Sequence, residues 1–291
     1  MKKHWFYAWL YTLLVLCVSS SGSVLFGGEL SQPLSPRNEP IVLFNGKDVK
    51  DLSKFYTWLS DTKQKDPRQV FTVTKEPDGT PVIRVSGDGY GGIITKQEYT
   101  NYHLICEFRW GKLTWGRRKT RTKDSGILLH CVGTAGNANK AGNSPWMASI
   151  ECQIIEGGVG DFIVVGGFDK QGQRFDVGIT AEVTKDRDGE SVWKKGGTKQ
   201  RFPGGRVNWF GRDPDWKDVL GFRGKNDVES PGMQWTCVES LCDGGNLTYI
   251  VNGVVVNAAT AATPTAGKLL FQTEGAEIYF RKIELHPLKK H

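Results

Sequence analysis

The 291-residue chain has little that would build helices, metal clusters or a disulfide framework. No stretch carries a convincing amphipathic period of 3.6, and no heptads, fixed-period repeats or low-complexity tracts occur. Helical bundles, coiled coils and solenoids are therefore excluded. Once Cys17 is assigned to an N-terminal leader, Cys106, Cys131, Cys152, Cys237 and Cys242 remain. An odd set at irregular spacing, with no CxxC and no Cys/His zinc spacing, is neither a disulfide framework nor a structural zinc site. Cys106, Cys131 and Cys152 lie in apolar strand patterns and read as small buried hydrophobes. A Cys237–Cys242 pair stays open, since export permits a bridge. A P-loop is absent, because the glycines of Gly87 to Gly92 lack the strand–helix setting of a phosphate cradle. A dense basic footprint is absent too. The formal charge of +7 falls to +5 without Lys2 and Lys3, which argues against nucleic acid as a partner.

The one long apolar run, Trp5 to Val18, is too short for a confident membrane span. Lys2, Lys3 and His4 precede it and the small residues Ser19 to Ser23 follow it, the pattern of a secretory signal. Residues 1–27 are expected as that signal, cleaved between Ser21 and Gly28, with no stable membrane span afterwards. Leu16 before Cys17 is larger than a lipoprotein cleavage site wants. The mature protein is expected to be exported, periplasmic or extracellular. Residues 28–40 read as a polar, proline-bearing linker, and 41–288 as a single domain.

What is present is glycine and aromatics, the composition of short strands joined by tight turns. Val70–Thr74 and Pro81–Ser86 flank the Glu76-Pro-Asp-Gly turn as a hairpin. Trp58 to Asp66 reads as a polar loop. Tyr102 to Trp110 alternates, with Leu104, Cys106, Phe108 and Trp110 on one face and His103, Ile105, Glu107 and Arg109 on the other. Ile127–Val132 is a strand in which regular parity sets His130 beside Gly126 and Leu128. Asn252-Gly253 between β-branched runs is the strongest hairpin signal. Lys268–Thr273 and Ile278–Leu285 close the domain, with Leu270, Gln272 and Glu274 sharing a face. About a dozen such strands predict an all-β sandwich of two antiparallel sheets, with a long insertion around 194–232. The basic run Arg117 to Lys123 reads as a solvated loop, or alternatively as a lid or anion contact beside a cleft.

The richest stretch is Trp146 to Asp161, which holds Glu151-x-Gln153-x-x-Glu156. On a strand Glu151 and Gln153 share a face while Ile150, Cys152 and Ile154 take the other. Glu156 falls opposite Glu151 unless a bulge after Gln153 turns it back. Such a strand is either the floor of a ligand cleft or an ordinary sandwich strand with a wet polar side. Trp115, Trp146 and Trp209 read as sugar-stacking aromatics or as core.

The order of signals resembles a known family. It runs from Leu43-Phe-Asn-Gly-Lys-Asp48 through Gly92-Ile-Ile-Thr-Lys96, Glu107-Phe-Arg109, Asp124-Ser-Gly-Ile127 and Ile150-Glu-Cys-Gln-Ile-Ile-Glu156. It ends in Leu270-Phe-Gln-Thr-Glu-Gly-Ala-Glu-Ile-Tyr-Phe-Arg-Lys-Ile283. This resembles the 3-keto-disaccharide hydrolases, and covers nearly all of the chain after the leader. The resemblance implies a concanavalin A-like lectin/glucanase sandwich (a jelly roll) and an exported protein, in a bacterium, acting on glycosides or oligosaccharides. It implies cleavage of a 3-keto-glycoside, by elimination and then hydration, with a carboxylate or histidine as base, a cation for the enolate, and an acid for the leaving oxygen. Under that implication Glu151, Glu156 and His130 are the acid/base candidates. Gln153, Trp146, Lys96, Arg109, Gln272 and Glu274 are substrate contacts, with Lys96 and Arg109 as oxyanion partners. Asp124 and Asp161 are candidate ligands for one divalent cation. The laminarinase group of the same fold carries E-x-D-x-x-E, and Gln153 at its middle position argues against a two-carboxylate glucanase. A non-catalytic lectin-like carbohydrate-binding domain is the alternative. A module binding a polyanion or a protein through Arg117 to Lys123 is a third reading.

Overall fold

The structure, a computed structural model, describes residues 32–289; the expected leader and the first part of the expected linker lie outside the described residues. Nineteen strands follow in order: β1 (Ile41–Phe44), β2 (Phe55–Leu59), β3 (Phe71–Lys75), β4 (Pro81–Val85), β5 (Tyr90–Thr95), β6 (Tyr99–Thr100), β7 (Tyr102–Thr114), β8 (Asp124–Val132), β9 (Ala148–Ile155), β10 (Phe162–Val165), β11 (Gly178–Lys185), β12 (Ser191–Trp193), β13 (Thr198–Phe202), β14 (Gly205–Val207), β15 (Thr236–Asp243), β16 (Asn246–Val251), β17 (Val254–Thr263), β18 (Ala266–Glu274) and β19 (Ala276–His286). Among the described residues the one helical element is a 3-10 turn at Gly116–Lys119.

They form two antiparallel sheets, as expected. Sheet A has eleven strands in the order β12-β11-β17-β16-β15-β7-β19-β4-β3, with β1 on β19 and β13 on β11. Sheet B has eight in the order β14-β10-β9-β8-β18-β5-β2, with β6 on β18. Period-2 alternation explains the core. β7 buries Leu104, Cys106 and Phe108 completely, while β8 and β9 of sheet B bury Ile127, Leu129, Ile150, Cys152 and Ile154. Phe271 of β18 meets Phe280 of β19 edge-on at 5.6 Å, and Phe162 of β10 meets Tyr249 of β16 at 4.1 Å, so aromatic pairs tie sheet to sheet.

Two local expectations change. Trp58 lies in β2, not in a loop; its indole N–H donates to Ser144 O at 2.9 Å and its ring is 8 % exposed. The charged residues that follow Trp58 hid a strand of five. The expected insertion contains β13 and β14, and from Asn208 to Trp235 it carries no strand. Within the expected linker, Leu34 pairs with Tyr99 through Leu34 N–H to Glu98 O at 2.8 Å. All five cysteines are free. Cys237 and Cys242 are five apart on β15 and so point to opposite faces, about 17 Å apart at strand rise, which rules out the bridge left open above.

Candidate active site

The outer face of sheet B gathers the polar residues. Across the ladder Glu151 opposes Leu128 and Gln153 opposes Gly126. On the other side of β8, Leu270 opposes Leu128, so Gln272 and Glu274 fall beside Gly126 and Asp124. Gly92 of β5 then opposes Gln272. Parity therefore sets Glu151, Gln153, Asp124, Gln272 and Glu274 on one face, across three adjacent strands. Gly126 is glycine for a reason: a Cβ there would collide with Glu151 Oε1 and come within 2.8 Å of Gln272 Oε1. The two side chains lean over it from opposite strands. Gln272 Oε1 is buried without a hydrogen-bond partner among the described residues. It is an acceptor that a bound hydroxyl would satisfy.

The electrostatics are those of crowded, dry carboxyls. Glu151 is 5 % exposed. Burial pushes its carboxyl well above the ordinary 4.5; the charges of Glu274 and Asp124 push further, while Arg206 and Gln272 oppose. Burial likewise raises Asp124 well above its usual range, with Glu274 adding and Arg118 opposing. Glu274 is raised by burial against Arg118 and Arg117. Arg118, 4 % exposed, is the cation at the centre of this group. Its Nη2 donates to Asp124 Oδ2 and, at 3.1 Å, to Glu274 Oε1, and Nη1 donates to Thr122 O at 3.2 Å. Gln153 Nε2 donates to the other Asp124 oxygen at 2.8 Å. Gln153 thus holds an aspartate rather than standing free toward solvent.

Next to this cluster the sheet face is apolar. Leu128, Leu270, Ile94, Cys131 and Trp58 pack with Met147, and Tyr56 and Trp146 lie half-buried against them. Trp146 therefore belongs to the segment that caps this face beside the polar residues. Trp209, in contrast, is 1 % exposed and joins the main core, with its backbone N–H on Asp161 Oδ1 at 2.8 Å. Trp115 is 38 % exposed at the end of β7, its indole N–H on Ser86 O at 2.9 Å.

Several expected site residues stand elsewhere. The ladder slips between Leu129 and Val132, and His130 takes φ +53°, which turns it to the opposite face from the one regular parity assigns. Its ring meets Tyr102 of sheet A edge-on at 5.6 Å, inside the sandwich. His130 Nδ1–H donates to Pro264 O at 3.0 Å, and burial presses the imidazole down to about 4. Glu156 gains no bulge: β8 and β9 stay in register from Leu129–Ile150 through Asp124–Ile155. Glu156 instead begins the turn after β9, and its Oε2 accepts the Lys123 N–H at 2.9 Å and the Gly221 N–H at 2.8 Å. It anchors the insertion. Arg109 lies on the outer face of sheet A, over Tyr279 at 4.1 Å and paired with Glu76 at 2.7 Å, with the whole sandwich between it and Glu151. Lys96 is exposed just past β5, four residues and about 13 Å of strand from Gly92.

The cation site does not fit. Asp161 is fully buried, and its oxygens accept from Arg212 Nη1 at 2.7 Å, Arg206 Nη1 at 3.1 Å and the Trp209 N–H. Asp124 is neutralised by Arg118. Guanidinium groups occupy the places a divalent ion would take at both residues. Sequence reasoning missed Arg118 and Arg206. Arg118 sat in a run that reads as solvated, and its partner Glu274 is 156 residues away.

Comparisons with known proteins bear on this arrangement. The chain is similar to a protein of Parabacteroides distasonis described provisionally as a glycosyl hydrolase, at 19% identity and TM-score 0.45, over 86% of this chain and 94% of that one. A second protein of that organism, described the same way, matches at 16% identity and TM-score 0.44, over 86% and 100%. A carbohydrate binding module of Bacillus subtilis matches at 9% identity and TM-score 0.37, over 73% and 89%. No curated protein matches the chain. A family model described as the 3-keto-alpha-glucoside-1,2-lyase-like domain matches residues 39–286, all of the sandwich from β1 to β19, and the chain belongs to that family.

Proposed function

We propose that this protein is a carbohydrate-active enzyme that cleaves the glycosidic bond of 3-keto-glycosides by elimination, with water adding afterwards where hydrolysis is the net result. The observation that supports this most is Glu151. It is a buried carboxyl whose affinity for a proton is raised well above the ordinary, beside the unpartnered acceptor of Gln272, in a chain of a 3-keto-glucoside lyase-like family. A C3 ketone acidifies the hydrogen on C2. Glu151 as its carboxylate takes that proton, becoming neutral, and the electron pair stays behind in an enolate. The pair then becomes the C1–C2 double bond as the C1–O bond breaks, and the departing oxygen takes a proton. The step is redox-neutral. Glu151 in its neutral form supplies the proton to the departing oxygen, Gln272 Oε1 accepts from a sugar hydroxyl, and Arg206 offers positive charge beside the enolate. No step is routed through a metal ion, because Asp124 and Asp161 are engaged by arginines.

The test is release of nitrophenol from a nitrophenyl 3-keto-glucoside by the purified protein. Loss of a general acid costs about 10²- to 10⁴-fold, so Glu151→Gln falls by that factor while chelator leaves the wild type unchanged. Release by the wild type no faster than by Glu151→Gln would end the catalytic reading. A second reading has its own support: two of the three acid/base candidates face away, and Glu151 is nearly closed off from solvent. That arrangement suits a lectin-like domain that binds glycans through amides and aromatics. Glycan retention without turnover, equal in Glu151→Gln, would favour it. Export is part of the proposal, resting on the leader read in residues 1–27; the mature N-terminus, measured by mass spectrometry, then falls between Ser21 and Gly28.

A further inference from the structure

Sheet A carries a depression on its own outer face. On β11, β16 and β17 the residues Ile179, Ala181, Leu247 and Ala259 are buried in the core, so Thr180, Glu182, Thr248 and Thr260 point the other way. They line a depression of about 410 Å³ walled by Trp193, Lys195 and Lys199. A further depression of about 360 Å³, reaching His103 and Asp243, shares Asn246 and Thr248 with the first. The two adjoin at Asn246 and Thr248 of β16, and the first is a groove across β11, β16 and β17. Its lining alternates apolar patches (Trp193, Val255, Ala258) with hydroxyl and amide groups, the pattern that matches a sugar ring with C–H faces and O–H edges. Val255 is 44 % exposed, so an apolar patch stands open to solvent there.

The charge at the Trp193 end selects the sugar. Lys195 and Lys199 are exposed and line the groove. The one carboxylate among them, Glu182, is turned to the Gly196 N–H at 2.7 Å. We infer that this groove binds a polysaccharide chain bearing carboxylates, with a ring on the open apolar patch at Val255 and a uronate between Lys195 and Lys199. The surface goes beyond the proposed reaction and is independent of it, because Glu151 lies on the outer face of the other sheet.

The experiment is affinity electrophoresis of the whole protein in gels holding polygalacturonate or neutral dextran. The wild type is retarded by polygalacturonate and not by dextran, and the retardation shrinks at high salt. The double variant Lys195→Ala/Lys199→Ala changes only exposed side chains and binds about tenfold more weakly, as expected for losing charge-assisted contacts. Val255→Ser weakens binding as well. Glu151→Gln migrates like the wild type, which separates this groove from the proposed chemistry. The inference is overturned if polygalacturonate does not retard the wild type, if dextran retards it equally, or if the double lysine variant is retarded as strongly as the wild type.

Discussion

Replacing Glu151 by glutamine tests the raised carboxyl without any substrate. The amide keeps the shape and removes the titration. In the unfolded chain Glu151 ionises near its ordinary 4.5, and in the folded chain burial carries it well above that. Between those two values the folded protein holds one proton more than the unfolded one. Stability of the wild type therefore falls as pH rises through the window, by about 1.4 kcal/mol per pH unit. Glutamine has no such dependence. Groups remote from Glu151 titrate alike in both proteins and cancel in the difference, whereas Asp124 and Glu274, whose charges act on Glu151, contribute to it. The stability of Glu151→Gln minus that of the wild type should then grow with pH between 4.5 and 7.5, with a slope of up to about 1.4 kcal/mol per pH unit until the folded value is passed. Urea denaturation at three pH values in that range measures it, with equal m-values as the control for an unchanged fold. A difference that stays flat with pH would mean that Glu151 ionises at its ordinary pH. The role of Glu151 as a proton carrier of raised affinity would fall with it.

Other consequences follow from the same electrostatics. Glu277 is buried, which opposes its ionisation, yet the Leu113 N–H, Arg84 and Tyr279 outweigh burial and hold its carboxyl below the ordinary 4.5. Its stabilisation is complete above 4.5 and is lost as pH falls through the lower folded value, so Glu277→Gln should flatten the acid limb of a stability–pH curve; an unchanged limb would refute this. His130 is pressed from 6.5 to about 4, so the unfolded chain takes a proton that the folded one refuses. Stability should drop by about 1.4 kcal/mol per unit as pH falls from 6.5 toward 4, and the imidazole should show no NMR titration between pH 5 and 8. Asp161→Asn leaves Arg212, 4 % exposed, without its buried partner and should cost about 3–5 kcal/mol, most of it recovered in Asp161→Asn/Arg212→Met. A loss under about 1 kcal/mol would show that the pair is not holding the insertion.

The positions that were legible in the sequence are those where strand parity runs undisturbed. Alternation alone set Leu104, Cys106 and Phe108 inward, and it placed Glu151 with Gln153 and Gln272 with Glu274 on shared faces. It failed at His130, where one left-handed residue reversed the parity of a histidine that the sequence sets beside glycine and leucine. Nothing in Leu128-Leu-His-Cys131 announces that slip: β8 carries one extra residue there, three of its steps spanning two on β18 and two on β9, which only the pairing reveals. Arg109 marks a different limit. Alternation says that it points away from the core, and it does, but an outward residue of sheet A and one of sheet B read alike until pairing is known. Arg118 is the strongest case. In sequence it is one basic residue among five between Arg117 and Lys123, and its burial is decided by carboxylates from two strands, β8 and the end of β18. A local run of charge records its own solvation well and its distant counter-ions not at all. Charge compensation between strands far apart in the chain therefore has to be read from the pairing of those strands, and here it is the compensation by Arg118 that leaves Glu151, one strand over, without a guanidinium of its own.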